Sequence, residues 1–188
     1  MANGTVMFAL RAIALALIAL GAASPATAQG PSLSFYGFRA GVPLSDTDAQ
    51  VRLLLGTGLS CQQSKADRRL QECRATIADP VANTPVSIWL AAIDSMTGVV
   101  TIFATLPTAD FVRWRDEVEG VYGPQAATVQ GAQGMAQWIL GTQMLRLTWR
   151  SAPGRVETSI SLVDGPVLDG WSLGDEAPAR IAKPRPPG

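Results

Sequence analysis

Apolar and polar residues alternate most regularly over residues 143–162, QMLRLTWRSAPGRVETSISL. Leu145, Leu147 and Trp149 fall on one face and Arg146, Thr148 and Arg150 on the other, which predicts a half-buried strand. Beyond a turn at residues 151–154, Val156, Thr158, Ile160 and Leu162 alternate with Glu157, Ser159 and Ser161, which predicts the returning strand. Residues 86–106, VSIWLAAIDSMTGVVTIFATL, carry a more apolar form of the same pattern. Residues 88–93 are almost continuously apolar, as in a strand covered on both faces. Val100, Ile102, Ala104 and Leu106 alternate inward after a turn over residues 94–98. Gly98 and Gly154 are read as closing the two turns. The first hairpin is expected at the buried centre and the second in a half-solvated position.

Between these hairpins the periodicity changes to helical. Phe111, Trp114, Val118 and Val121 recur at helical spacing after Thr108, a good N-cap, and Tyr122-Gly123-Pro124 stops the run. An earlier segment has the same form: Ser45 as N-cap with Asp48 three residues on, Leu44 as a staple, Ala49, Val51, Leu54 and Leu55 as the apolar face, and Gly56 as the stop. Residues 35–39, FYGFR, suggest an edge strand, and the flanks of Cys61 and Cys73 suggest short strands. Residues 125–134 read as a polar loop, Ala136, Trp138 and Leu140 as a strand, and residues 167–173 as an edge segment bearing Trp171. The expected class is α+β: two tandem helix-plus-antiparallel-strand units, about residues 35–106 and 107–173, with the helices packed on one face of an antiparallel sheet.

Composition fixes the compartment more firmly than the fold. The chain has 188 residues, 47% hydrophobic and 16% charged, enough for a sizeable core. Arg11 is followed by the apolar run AIALALIALGAA and then by small residues up to Ala28, which reads as a secretory signal over residues 1–28. That run is too short for a comfortable transmembrane helix, so no stable membrane span is expected after cleavage. One domain is expected over residues 29–173, and residues 174–188 as a disordered Pro/Ala-rich tail. Formal net charge is zero; losing Arg11 leaves 14 basic against 15 acidic side chains, with no basic excess to suggest nucleic acid. Cys61 and Cys73 are an even pair in an exported chain and read as a structural disulfide; a redox-active or metal-binding pair is the alternative. The expected location is periplasmic or secreted.

Catalytic constellations are scarce. The chain has no histidine, which removes Ser-His-Asp, Cys-His and histidine-based zinc sites. It has no GxSxG, P-loop or dinucleotide fingerprint, so neither a cofactor nor a metal is implied. The close carboxylates Asp46/Asp48 and Asp116/Glu117/Glu119 are explained by a helix start and a solvated helix face.

Residues Gly41-Val42-Pro43, Ala49-Gln50-Val51 and Leu55-Gly56 resemble the "G-M-T, then Q-V, then L-G-x-P" helix entry of SmpA/OmlA-like small outer-membrane assembly lipoproteins. Residues 145–149 followed by a glycine turn are similar to the hairpin closing that domain, and two such units in tandem would look like the beta-lactamase-inhibitor-protein arrangement. The chain lacks the lipidated cysteine and adds an internal pair, so membrane anchoring is not carried over. The resemblance implies no catalytic residues, because members of that family act by binding proteins.

The expectation is an exported, non-catalytic protein-binding module of the cell envelope, whose partner is an envelope or secreted protein. Two alternatives stand beside it: a carboxylate-dependent hydrolase acting on an extracellular polymer, and a small-molecule carrier using Trp89, Trp138 or Trp149. Arg146, Thr148, Arg150, Arg155 and Glu157 read first as an ordinary solvated sheet face. They are also where a recognition surface is expected if the chain has one.

Overall fold

The computed structural model describes residues 32–79 and 84–174. The proposed signal segment and the Pro/Ala-rich tail beyond Gly174 lie outside them. The elements run in the order α1 (Leu44–Leu55), β1 (Ser60–Gln63), β2 (Leu70–Ala78), β3 (Pro85–Ile93), β4 (Met96–Pro107), α2 (Thr108–Tyr122), β5 (Thr128–Gln130), β6 (Gln133–Leu140), β7 (Gln143–Ala152), β8 (Arg155–Asp164) and α3 (Gly165–Gly174). The class is α+β, but the two tandem units are not there. All eight strands form one antiparallel sheet, in the order β1-β2-β3-β4-β8-β7-β6-β5. The two hairpins that suggested separate units meet at its centre. Their second strands pair directly, with Ile102 opposite Ile160 and Val100 opposite Leu162, so one core is shared. Nor do the helices share one face. Val167 and Leu168 of α3 pack against Gly98, on the side of the sheet that Ile93 occupies and away from the main core.

Sheet register sorts the side chains. On the inner face Ile88, Ile102, Ile160, Leu147 and Ala136 form one row across five strands, and Leu90, Val100, Leu162, Leu145 and Trp138 form the next. These residues are buried, as are Val51 of α1 and Phe111, Trp114 and Val118 of α2. Burying a large apolar side chain contributes about 1.5–3 kcal/mol, so this double row dominates the stability. Thr47 of α1 and Thr97 of β4 share a buried hydroxyl contact at 3.0 Å. Trp138 donates its indole N–H to the carbonyl of Gly123 at 2.8 Å, tying the end of α2 to β6.

Local differences have local causes. Neither Ser45 nor Thr108 caps a helix; Pro43 and Pro107 stand at the N-caps with no side-chain hydrogen bond. Proline's fixed φ sets the helix entry there without a capping side chain. Asp48 instead accepts from the backbone N–H of Leu59 at 2.7 Å and from Arg52 at 2.7 Å, stapling α1 to the segment beyond it. The turn of the first hairpin is Asp94-Ser95, both at positive φ (49° and 65°), which aspartate tolerates. Gly98 lies within β4 beside a bulge and leaves room for α3. Residues 35–38 are a tight turn, not an edge strand: Phe35 and Phe38 bridge each other and are buried, with Tyr36 and Gly37 at positive φ between them. The supposed loop at residues 125–134 contains the edge strand β5, and the segment bearing Trp171 is helical. Cys61 and Cys73 are directly opposed on β1 and β2 and form the disulfide. No described helix is long and apolar enough to cross a membrane.

Candidate functional site

Among the described residues, the outer face of the sheet is covered only at one end. There α3 spans the β3–β4 turn, and Trp171 donates to Asp67 Oδ2 at 2.6 Å while the Arg69 guanidinium donates to the Trp171 carbonyl at 3.2 Å. Away from α3 the outer-facing rows meet solvent. One row runs Ser87, Phe103, Ser159, Thr148, Met135 and Thr128 across six strands. The adjacent row runs Thr105, Glu157, Arg150, Gln133 and Gln130. Together they line an open groove of about 1060 Å³, with Thr84 and Pro85 at one end. At about 4.8 Å between strands, six strands make it roughly 24 Å long. Phe103 lies on a central strand with 45% of its surface exposed, unlike its neighbours Ile102 and Val100 on the buried face.

The polar side chains of this face are held in place. Thr148 and Ser159 share a hydroxyl contact at 2.8 Å, and Thr101 and Ser161 one at 3.1 Å. Arg146 donates through Nε and Nη2 to the Gln137 amide oxygen at 3.2 and 3.0 Å. With the Gln133 amide turned so that its oxygen faces Arg150, that oxygen accepts from Nε at 3.2 Å and Nη2 at 2.7 Å. Each guanidinium is thus oriented by a neutral partner. Of the five residues singled out in the sequence, Thr148, Arg150 and Glu157 line the groove. Arg146 lies one row above it and Arg155 at the turn below, on the same face.

The alternative chemistries fare differently. Trp89 faces outward, whereas Trp138 and Trp149 face the core, Trp149 against Phe111 at 5.5 Å; of the three, Trp149 is among the residues that line the groove. Glu157 is the one carboxylate among the described groove residues, short of the pair that glycoside hydrolysis uses. Burial pushes the Glu117 carboxyl upward, but Glu117 is on α2, away from the groove. No group of three His, Cys, Asp or Glu among the described residues could hold a metal ion.

A second polar cluster had no signal in the sequence. The Asp79 carboxylate is buried at the end of β2 and accepts from the Tyr36 hydroxyl at 2.8 Å, from Arg113 at 2.9 and 3.0 Å and from the Trp114 indole at 2.8 Å. Burial pushes the Tyr36 hydroxyl well above its ordinary value, and the Asp79 charge adds to this. The cluster joins the aromatic turn, the end of β2 and α2, with Arg113 also donating to the Tyr36 hydroxyl oxygen at 3.2 Å. Its residues stand 43, 34 and 35 positions from Asp79, too far for any local pattern to link them.

No family model matches the chain, and no characterised protein or solved structure matches it. The likeness to the outer-membrane lipoproteins therefore rests on the short motifs alone.

Proposed function

We propose that the protein is an exported, non-catalytic binding module, periplasmic or secreted, whose partner is an envelope or secreted protein. The observation that carries this reading is the contrast between the two faces of one sheet. The inner face is sealed by α1, α2 and the aromatic turn. The outer face keeps an ordered groove with a half-exposed Phe103 toward one end and fixed hydroxyl and guanidinium groups along the rest. Exposed aromatics in a polar rim are the usual anchors of protein interfaces. The apolar run at residues 12–23 and the Cys61–Cys73 disulfide support the location outside the reducing cytoplasm.

The test places a photo-crosslinking amino acid at Phe103 and, in a separate variant, at Leu53, which is 80% exposed on the helix side. Crosslinking in living cells, followed by mass spectrometry, is expected to give a defined adduct with an exported protein from position 103 and none from position 53. The same adducts from both positions, or none from position 103, would overturn the reading.

A further inference from the structure

Two groups of arginines in this protein differ in their partners. On α1 and α2 each is ion-paired: Arg52 with Asp48, Arg113 with Asp79 and Asp110, Arg115 with Asp116 and Glu119. On the outer sheet face Arg74, Arg146, Arg150 and Arg155 form no ion pair among the described residues. Arg146 and Arg150 are fixed by the amide oxygens of Gln137 and Gln133 instead. Glu157 stands opposite Arg150 in the ladder without closing on it. The neutral formal charge of the chain therefore hides a segregation. Asp46, Asp48, Asp110, Asp116, Glu117 and Glu119 lie on α1 and α2, whereas the sheet rows of the outer face hold four arginines against Glu72 and Glu157; Asp67, at the α3 end, is paired with Arg69. A neutral amide orients a guanidinium without discharging it, which leaves a planar fork ready for a carboxylate.

From this charge pattern we infer that the outer face recognises an extended acidic segment of its protein partner. The inference rests on the binding role proposed above and names the chemistry bound. Arg146, Thr148 and Arg150 occupy alternate positions of β7 on one face, so their side chains repeat at about 6.6 Å. An extended segment lying along β7 repeats its own side chains at the same interval. Carboxylates at its positions i and i+4 meet Arg146 and Arg150, and a hydroxyl or amide at i+2 meets Thr148. Phe103 and Met135 lie in the Thr148 row, two strands to one side and one to the other, and flank that segment with apolar surface. A nucleic acid or a sulfated glycan is disfavoured: Glu157 stands inside the site, and the arginines alternate with hydroxyls and an exposed phenyl ring.

Fluorescence anisotropy with labelled decapeptides tests this directly. One peptide is Thr- and Val-rich with Glu at i and i+4 and Ser at i+2; its control has Gln at both acidic positions. The acidic peptide is expected to bind at least tenfold more tightly than its amide control and to weaken as salt rises. The R146Q/R150Q variant is expected to lose at least tenfold for the acidic peptide alone, with an unchanged thermal midpoint. R155Q, at an exposed turn, is expected to lose less, and E157Q to tighten binding. Equal binding of the two peptides, no effect of either arginine variant, or tighter binding of heparin or an oligonucleotide than of the acidic peptide would each overturn the inference. If these fail while the Phe103 adduct forms, only the acidic chemistry falls and the binding role stands.

Discussion

Asp79→Ala is the most informative single perturbation of the fold. The side chain is fully buried and collects three donor residues from two elements: Tyr36 in the aromatic turn, and Arg113 and Trp114 on α2. Removing the carboxylate leaves the Trp114 indole N–H without an acceptor in the core and Arg113 without its anion. Breaking a buried ion pair from one side costs about 3–5 kcal/mol. Arg113 keeps 27% of its side chain exposed and a 3.7 Å contact with Asp110, which places the expected cost near the lower end. We predict a loss of about 3 kcal/mol for Asp79→Ala, and of roughly 1–2 kcal/mol for Asp79→Asn, which keeps one acceptor oxygen. Urea unfolding followed by tryptophan fluorescence reads both. With a typical m of about 1–3 kcal/mol/M, the alanine variant shifts the midpoint down by roughly 1–3 M. A loss below about 1 kcal/mol for Asp79→Ala, with m unchanged, would refute the role of this carboxylate as the joint between turn, sheet and helix.

Further outcomes follow from the same structure. Replacing both Cys61 and Cys73 by serine frees the edge strand β1 and is expected to cost about 3 kcal/mol, measured by urea unfolding against the oxidised protein. Tyr36 is an acid whose folded value is raised above its ordinary 10.0. Its contribution is therefore full below pH 10.0 and declines as pH rises above it toward the folded value, because the unfolded chain ionises first. Denaturation midpoints between pH 8 and 11 should show that decline, and Tyr36→Phe should flatten it. Gly134→Val places a side chain into Trp149, which covers that glycine, and should lower the thermal midpoint by several degrees through overpacking. The same substitution at Gly141, which has open space around it but a positive φ of 59°, tests backbone strain without a clash and should cost less.

The strands were legible wherever one face is buried and the other wet. Residues 143–162 announce β7 and β8, because alternation is the direct record of a two-faced sheet. Phe111, Trp114 and Val118 announce the buried stripe of α2 for the same reason. Their end points were less legible. Val121 continues the apolar spacing of α2 yet is 68% exposed, while Tyr122 beside it packs against the core. The strand β5 was hidden because an exposed edge strand has no buried face to record. The joining of β4 to β8 was hidden because nothing local states which strand pairs with which across residues 107–155; two similar hairpins fit two units as well as one sheet. In the candidate site, Arg146, Thr148, Arg150 and Glu157 could be placed together from alternation alone. Phe103 could not, because a phenylalanine on a central strand reads as core until the coverage of both faces is known. The Asp79 cluster lay beyond any pattern, its partners being brought together only by the tertiary fold.

The central claim is that recognition belongs to the uncovered face of the sheet. Hydroxyl-radical footprinting of the protein, alone and in its native exported fraction, tests it most directly. The account predicts that Phe103 and Met135 lose reactivity in the exported fraction, while Leu53 and Val121 on the helix side keep theirs. Protection of Leu53 and Val121 with Phe103 unchanged would contradict it.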